Sequence, residues 1–284
     1  MIGISSLNTL SKIRLARLAS RLLKLVQFWN HGNSRRIAKR GNLTWSLDIN
    51  EGIDIAIYLF GAFERSTIWA YSRVLTSGDD VFDIGANCGA HTLHFAQLVG
   101  NRGRVVAFEP TNYAFERIQT NLRINSSLVD HVELHQIALT DSQNFNPQSE
   151  LYASWPLNGK ENLHPTHGGR LHSTTGAKFM SLDEFVVQNK IDKLDFIKLD
   201  VDGDEPRIIS GGLRTLETFH PSILMEWCPD LFSDPVRDAL EIQSALVDLG
   251  YNVSIVGHRG VKLSNWSLIS KKLPNRGSVN LLLQ

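Results

Sequence analysis

From residue 80 onward the chain alternates short β-branched runs with stretches of helical period. Val81-Phe82-Asp83-Ile84 is a buried-strand run, closed by Gly85 and followed by a helical pattern to about Val99. Residues 104–109 form a second strand pattern, stopped by Pro110, and residues 112–124 a helix. Residues 132–139 read as a third strand, and residues 181–188 as a short helix with an N-cap serine and an acidic first turn. A fourth strand covers 194–201 and precedes a helix over 205–219, with Pro206 tolerated in its first turn. A fifth strand covers 222–227, and a helix over 235–249 ends at Gly250. Residues 252–256 and 279–283 are closing strands. Such alternation predicts a mostly parallel sheet covered by helices on both faces. In that architecture the ligand crevice lies beyond the carboxyl ends of the strands, so functional residues are expected just after strands. Residues 140–176 break the pattern: they are polar, rich in Gly, Pro, Asn and His, and without period.

Before residue 44 the pattern changes. Over 7–29, Leu7, Leu15, Leu18, Leu22, Leu25 and Trp29 fall on one helical stripe, with Arg17, Arg21 and Lys24 beside it. Residues 1–40 hold nine basic and no acidic residues, leaving 20 basic against 29 acidic in the rest. The formal net charge of zero therefore hides a basic leader and an acidic body. The plainer expectation for 7–29 is a helix that packs its leucine stripe on its own domain or on a partner. Peripheral contact with an anionic membrane surface is the alternative, and nucleic acid ranks below it. The domains are read as 1–43, a basic amphipathic extension, and 44–284, the globular body.

The 284 residues, 42% hydrophobic and 20% charged, exclude a collagen, a low-complexity chain and a mostly disordered protein. Cys88 and Cys228 are too few for a disulfide framework and lack zinc-type spacing. No stretch approaches the roughly 18 apolar residues of a membrane span, and charges interrupt any secretory core. A cytoplasmic setting is the expectation, with the inner membrane surface as the place of any peripheral contact.

The sharpest motif is Asp83-Ile84-Gly85-Ala86-Asn87-Cys88-Gly89, with Thr92 following, at the end of the first strand. Gly85 and Gly89 allow a tight turn and close approach of a ligand, and the helix N-terminus beyond offers free N–H groups. Glu109 ends the second strand, where a carboxylate can accept ribose hydroxyls. Taken singly, Asp83 could be a turn acid and Glu109 a solvated strand end; together, each at a strand's carboxyl end, they indicate a nucleoside-bearing ligand. The glycines stand four apart, which disfavours a dinucleotide oxidoreductase. The D-x-G-x-x-x-G form resembles the first motif of class I S-adenosylmethionine-dependent methyltransferases.

More of the chain carries the resemblance. TWSLDINEGIDIAIYLFGAFERS (44–66), VFDIGANCGAHTLHFAQLVGNRGRVVAFEP, MSLDEFVVQNKIDKLDFIKLDVDGDE and ILMEW resemble the FkbM family of methyltransferases over roughly residues 44–228. The resemblance implies a Rossmann-like, doubly wound α/β fold with a mostly parallel seven-stranded sheet. It implies S-adenosyl-L-methionine as cofactor, bound by Asp83, Gly85, Ala86, Asn87, Gly89, Thr92 and Glu109. It also implies O-methylation of a hydroxyl on a sugar, glycan or natural product. Asp202 departs from the family's usual Glu in DVEG, keeping the acid with one methylene less of reach.

A sugar hydroxyl needs a base as its new C–O bond forms. Asp200, Asp202 and Glu205 are the candidates, clustered with Lys198 and Asp204 at the end of the fourth strand. Such acids can raise one another's pKa, hold a divalent cation, or only cap the next helix; no metal ligands are assigned. Loop 140–176 is expected to cover the acceptor, with His167 or His172 as a further base and His164 and Arg170 beside them. Glu64, in GAFE, matches an acid the family often carries, and Cys88 reads as a small filler. Two competing readings stay open: a noncatalytic binding module on this fold, and an RNA methyltransferase using the basic leader for phosphate contacts.

Overall fold

A computed structural model describes residues 34–141, 149–157, 163, 168–257, 260–273 and 277–284. The stripe at 7–29, His164 and His167 lie outside the described residues. The described chain opens with a hairpin of β1 (Arg35–Arg40) and β2 (Leu43–Asp48), followed by α1 (Gly52–Phe60) and α2 (Arg65–Tyr71). Residues 35–40, placed in the extension by the sequence pattern, pair along their whole length with 43–48. The boundary drawn at residue 43 thus falls inside a hairpin.

The alternating region begins with β3 (Asp80–Ile84), α3 (Thr92–Val99), β4 (Arg104–Phe108), α4 (Asn112–Arg123) and β5 (Val132–His135). It continues through β6 (Ile137–Thr140), β7 (Glu150–Ser154), β8 (Arg170–Ser173), β9 (Lys178–Ser181) and α5 (Leu182–Gln188). Then come β10 (Phe196–Leu199), α6 (Glu205–Ser210), α7 (Leu213–Phe219), β11 (Ser222–Trp227) and α8 (Pro235–Asp248). The chain closes with β12 (Val253–Gly257), β13 (Gly260–Leu263), α9 (Trp266–Lys272) and β14 (Val279–Leu283).

The central sheet runs β13-β12-β14-β11-β10-β3-β4-β5. Strands β11, β10, β3, β4 and β5 are mutually parallel, and β14 lies antiparallel between β11 and β12. This is a Rossmann-like doubly wound sheet. It holds eight strands where seven were expected, because β13 folds back on β12 as an added edge. From β3 the chain runs outward through β4 and β5 on one side and then returns to β10 and β11 on the other, so the crevice for a ligand opens at the β3–β10 switch.

Alternation along each strand sorts the two faces. Phe82, Ile84, Ile197 and Leu199 join the larger core, with Phe185 and Leu216 from α5 and α7. Val81 and Phe196 face the opposite core, with Phe95 and Tyr71 from α3 and α2. A third cluster, including Trp45, Leu47, Ile57 and Ile118, seals the N-terminal hairpin and α1 against α4.

Two predicted elements are divided in the structure. The strand expected over 132–139 splits at Gln136, whose amide donates to Asn112 Oδ1 at 2.5 Å and to the Pro110 carbonyl at 3.3 Å. β5 stays in the central sheet while β6 leaves it to pair with β9. The helix expected over 205–219 breaks at Gly211-Gly212. A Cβ at Gly211 would lie 2.2 Å from the Thr140 carbonyl oxygen, so the glycine admits β6 into contact there. The acceptor-loop region, expected to lack period, contains the short antiparallel pair β7–β8.

Candidate functional site

At the end of β3, Gly85 has φ +80° and a Cβ there would sit 1.9 Å from the Asp200 carbonyl oxygen. Only glycine lets the β3 and β10 ends approach this closely. The N–H groups of Gly85 and Ala86 both donate to the Phe108 carbonyl, at 3.1 and 3.0 Å, which fixes the loop against β4. Asn87 takes a left-handed conformation with φ +50°, which Asn tolerates better than most residues. Its N–H donates to Glu109 Oε2 at 2.9 Å, and its side-chain amide donates to the Ala153 carbonyl on β7 at 2.9 Å.

Glu109 also accepts from the Thr111 N–H at 2.9 Å and hydroxyl at 2.6 Å. Burial pushes its carboxyl above the usual range, and the bonds from Thr111 and Asn87 pull it back. A carboxylate offers about four acceptor sites, and this one retains capacity on the wall of a large cavity.

The cavity, of about 1320 Å³, opens over the carboxyl ends of β3, β4, β10 and β11. It exceeds the roughly 300–1,000 Å³ usual for a single small ligand, so two ligands can share it. Gly85, Ala86, Asn87, Glu109, Asp200 and Asp202 all line it, as sequence reasoning expected of site residues. Asp83, Gly89, Thr92 and Glu205 do not. They lie behind the wall and hold it in place.

Asp83 shows why. It is fully buried on the α3 face of β3, accepting from the Thr92 hydroxyl at 2.5 Å. On β10, Lys198 stands in register beside it. The Lys198 ammonium lies 3.6 Å from Asp83 and 3.3 Å from Asp200, and donates to the Gly85 carbonyl at 3.1 Å. Burial opposes its charge, but Asp200 and then Asp83 outweigh that and hold the ammonium above the usual lysine range. Burial likewise raises the Asp83 carboxyl against the pull of Lys198 and Thr92. Gly89 packs on Ile118, where a Cβ would come within 3.0 Å.

Glu205 turns away from the cavity. Its two carboxylate oxygens accept from the N–H groups of Val201 and Gly203, at 3.0 and 3.1 Å. Burial raises it to about 7. It is a loop-holding acid that presents Asp202, which sits at φ +55° on the cavity wall. Asp tolerates that conformation better than Glu does, a local reason for the shorter acid. Burial, then Asp200 and Glu205, push the Asp202 carboxyl far above its usual range. Asp204 also lines the cavity, while Arg207 in α6 pairs with Asp141 at 2.8 Å.

Glu64 reaches the same cavity from the start of α2, where it accepts from Thr67 Oγ1 and Asn280 Nδ2, both at 3.0 Å. Described residues of the expected acceptor loop, among them Leu151, Tyr152, Trp155 and Leu157, form part of the wall. His172 does not. It stacks on Tyr113 with centroids 4.1 Å apart, and its Nε2 lies 2.8 Å from Ser154 Oγ. Cys88 is buried behind the glycine loop, and burial pushes its thiol up to about 12. Among the described residues, no group of three or more His, Cys, Asp or Glu side chains is arranged to hold a metal ion.

Glu226 and His91 are among the wall residues that escaped the sequence reading. Glu226 lies near the end of β11, where burial and then Asp200 and Asp202 hold its carboxyl well above the usual range. An acid in the apolar run SILMEW was the available signal, since buried charge needs a reason. His91, two residues past Gly89, sits on the wall with Nδ1 3.3 Å from the Tyr71 hydroxyl and Nε2 without a partner. Nothing in its spacing distinguishes it.

A family model described as the methyltransferase FkbM domain matches residues 83–253, well over half of the chain. The 2-O-methyltransferase NoeI of Sinorhizobium fredii (strain NBRC 101917 / NGR234) is 27% identical over 146 residues. That similarity covers 48% of this chain and 58% of NoeI, so the chain spans little more than half of that relative. Among solved structures, the methyltransferase FkbM from Methylobacillus flagellatus KT is similar at 16% identity and a TM-score of 0.49, covering 80% of this chain and 50% of that one. Aeropyrum pernix fibrillarin, solved with natively bound S-adenosyl-L-methionine, is similar at 14% identity and a TM-score of 0.42, covering 90% of this chain and 85% of that one.

Proposed function

The chain belongs to the FkbM family of methyltransferases, and from that premise we propose that it moves a methyl group from S-adenosylmethionine to a hydroxyl of a sugar, glycan or natural product. One observation carries the cofactor reading: the glycine loop and Glu109 converge on one cavity wall at the switch of the sheet, with no room for a side chain at Gly85. The fit is good for an adenosyl sulfonium. Glu109 would take the ribose hydroxyls, the loop 85–87 would follow the backbone of the ligand, and Asp200 would meet the methionine ammonium. When bound, the cofactor supplies an already activated methyl group.

The chain's own part is then alignment and proton removal. The cavity has volume left for an acceptor, and Asp202 stands on its wall beside Asp200. A carboxyl raised by burial and by neighbouring acids is a better match to a hydroxyl proton than an ordinary one. Asp202 is therefore the base, positioned by Glu205 through the loop 201–203. Lys198 and Asp83 fix the β10 end from behind. The 2-O-methyltransferase activity in the name of NoeI supports the choice of oxygen as acceptor.

Incubation with methyl-labelled S-adenosylmethionine and a panel of polyhydroxy acceptors tests this reading. The expected product is an alkali-stable methyl ether, and Asp202→Asn should lower kcat by about 10²-fold or more with cofactor affinity retained. Label confined to amines or to carboxylate esters would contradict transfer to a hydroxyl. Cofactor binding without turnover on any member would favour a noncatalytic module.

A further inference from the structure

The wall segment 151–157 is strung between two supports. One is the start of α1. There the Gly52 N–H donates to the Trp155 carbonyl at 2.9 Å and the Leu157 N–H to the Asn50 carbonyl at 2.7 Å. The Trp155 N–H donates to Glu51 Oε2 at 3.1 Å. The other support is the glycine loop, where the Asn87 side-chain amide donates to the Ala153 carbonyl at 2.9 Å. Leu151, Tyr152, Ala153, Trp155 and Leu157 of this segment line the cavity.

Asn87 has the chemistry that such a tie requires. Its φ of +50° is one that Asn and Asp tolerate better than most residues with a side chain. Its Oδ1 accepts from the Cys88 N–H at 2.8 Å, which leaves the Nδ2 end for the Ala153 carbonyl and fixes which way the amide points. Its backbone N–H meanwhile donates to Glu109 Oε2. One residue thus holds the carboxylate that faces the ribose and the wall that faces the acceptor. Ala153 is 3% exposed, so loss of the donor leaves a buried carbonyl without that bond.

We propose that Asn87 is a positioning residue that couples the two halves of the cavity: a cofactor seated on the loop 85–87 and Glu109 steadies the acceptor wall 151–157 through the Asn87 amide. The inference rests on the methyltransferase reading and adds to it a coupling between its two ligands. A ligand that holds Glu109 and the loop takes freedom from Asn87, and the wall tied to Asn87 loses freedom with it. By linkage, an acceptor on the wall tightens the cofactor by the same factor. Asp in place of Asn keeps the size, the backbone tolerance and the Cys88 bond. It sets an oxygen against the Ala153 carbonyl where an N–H had been.

The test is hydrogen–deuterium exchange on the full chain, with and without saturating S-adenosylhomocysteine, read over residues 150–157. In the native chain the ligand should slow exchange there by a few-fold to about tenfold, the factor that one net hydrogen bond is worth. In Asn87→Asp, with saturation checked by thermal melting, that slowing should be lost. Should this variant fail to fold or to bind, Asn87→Gly, which also suits the left-handed backbone, takes its place with the same expectation. Ser154→Ala removes the contact to His172 and leaves the Asn87 tie. It should raise exchange with and without ligand while the ligand-dependent slowing persists, which separates coupling from mere loosening of the wall. The proposal is overturned if the ligand leaves exchange over 150–157 unchanged in the native chain. It is equally overturned if the saturated Asn87 variant is slowed as much as the native chain, or if Ser154→Ala abolishes the slowing as fully as the Asn87 variant does. Failure of S-adenosylhomocysteine to bind the native chain would instead strike the cofactor reading.

Discussion

Single residues decide how the β3 and β10 ends meet. Gly85 combines a positive φ with a backbone oxygen where its Cβ would go. Gly85→Ala should cost roughly 2–4 kcal/mol in urea unfolding and abolish cofactor binding. Cys88 and Cys228 carry thiols pushed up to about 12, chiefly by burial. Both should resist a thiol reagent at pH 8 until the protein unfolds; rapid labelling of the native protein would contradict this. At this scale the sequence was a good guide to which residues stand at strand ends. Gly85, Asn87 and Glu109 follow directly after strands, and the cavity finds them there. Asp83 and Glu205 were recognisable as special but not as supporting groups, because which face an acid takes depends on strands distant in sequence. His91 and Glu226 gain their meaning from Tyr71, Asn280 and Asp202, which only folding brings near.

At the scale of elements, α1 forms one side of the cavity, the N-terminal hairpin packs behind it, and a buried pair locks α1 to α4. Asp54 on α1 has no solvent exposure and is paired with Arg117 on α4, and it also accepts from the Asp48 N–H at 2.5 Å. Removing one partner strands a buried charge. Arg117→Met should destabilise by roughly 3–5 kcal/mol, and adding Asp54→Asn should recover part of that loss. Equal stability of the single and double variants would contradict the lock. The long parallel strands and the helices α3, α4, α5 and α8 were legible because their periods are strong. The divisions at Gln136 and Gly211-Gly212 were not, since they answer to the approach of β6, a contact outside any local window. β1, β2, α1 and α2 lacked a clear signal for the same reason: their apolar residues match a surface made by α4 and the central sheet.

At the scale of the molecule, the acid-rich site leaves a mark on stability. Glu51, in the segment that pairs with Trp155 beside the cavity, is raised from 4.5 to about 7, mainly by burial, as is Glu205. A carboxyl raised on folding favours the folded state below its unfolded pKa, and that contribution is lost as pH rises through the folded value. Stability should therefore fall between about pH 4.5 and 7, by roughly 3 kcal/mol for each group. Glu51→Gln should flatten the slope of unfolding free energy against pH over that range. Asp141, lowered by its bond from Arg207, works in the opposite direction but below the ordinary range of an aspartate. No helix among the described residues is long and apolar enough to cross a membrane. The basic leader is expected to serve location or assembly, and the hairpin shows where to cut: removal of residues 1–33 should leave cofactor affinity unchanged, whereas a cut at 40 would take β1 with it.

On the proposed reading, the glycine loop and Glu109 hold an adenosyl sulfonium at the β3–β10 switch. Isothermal calorimetry of S-adenosylhomocysteine against the full chain and against Glu109→Gln tests it most directly. The expected result is one site per chain, a loss of at least about tenfold in affinity for the variant, and no heat from NAD under the same conditions. Equal affinity of the two proteins, or tighter binding of NAD, would contradict it.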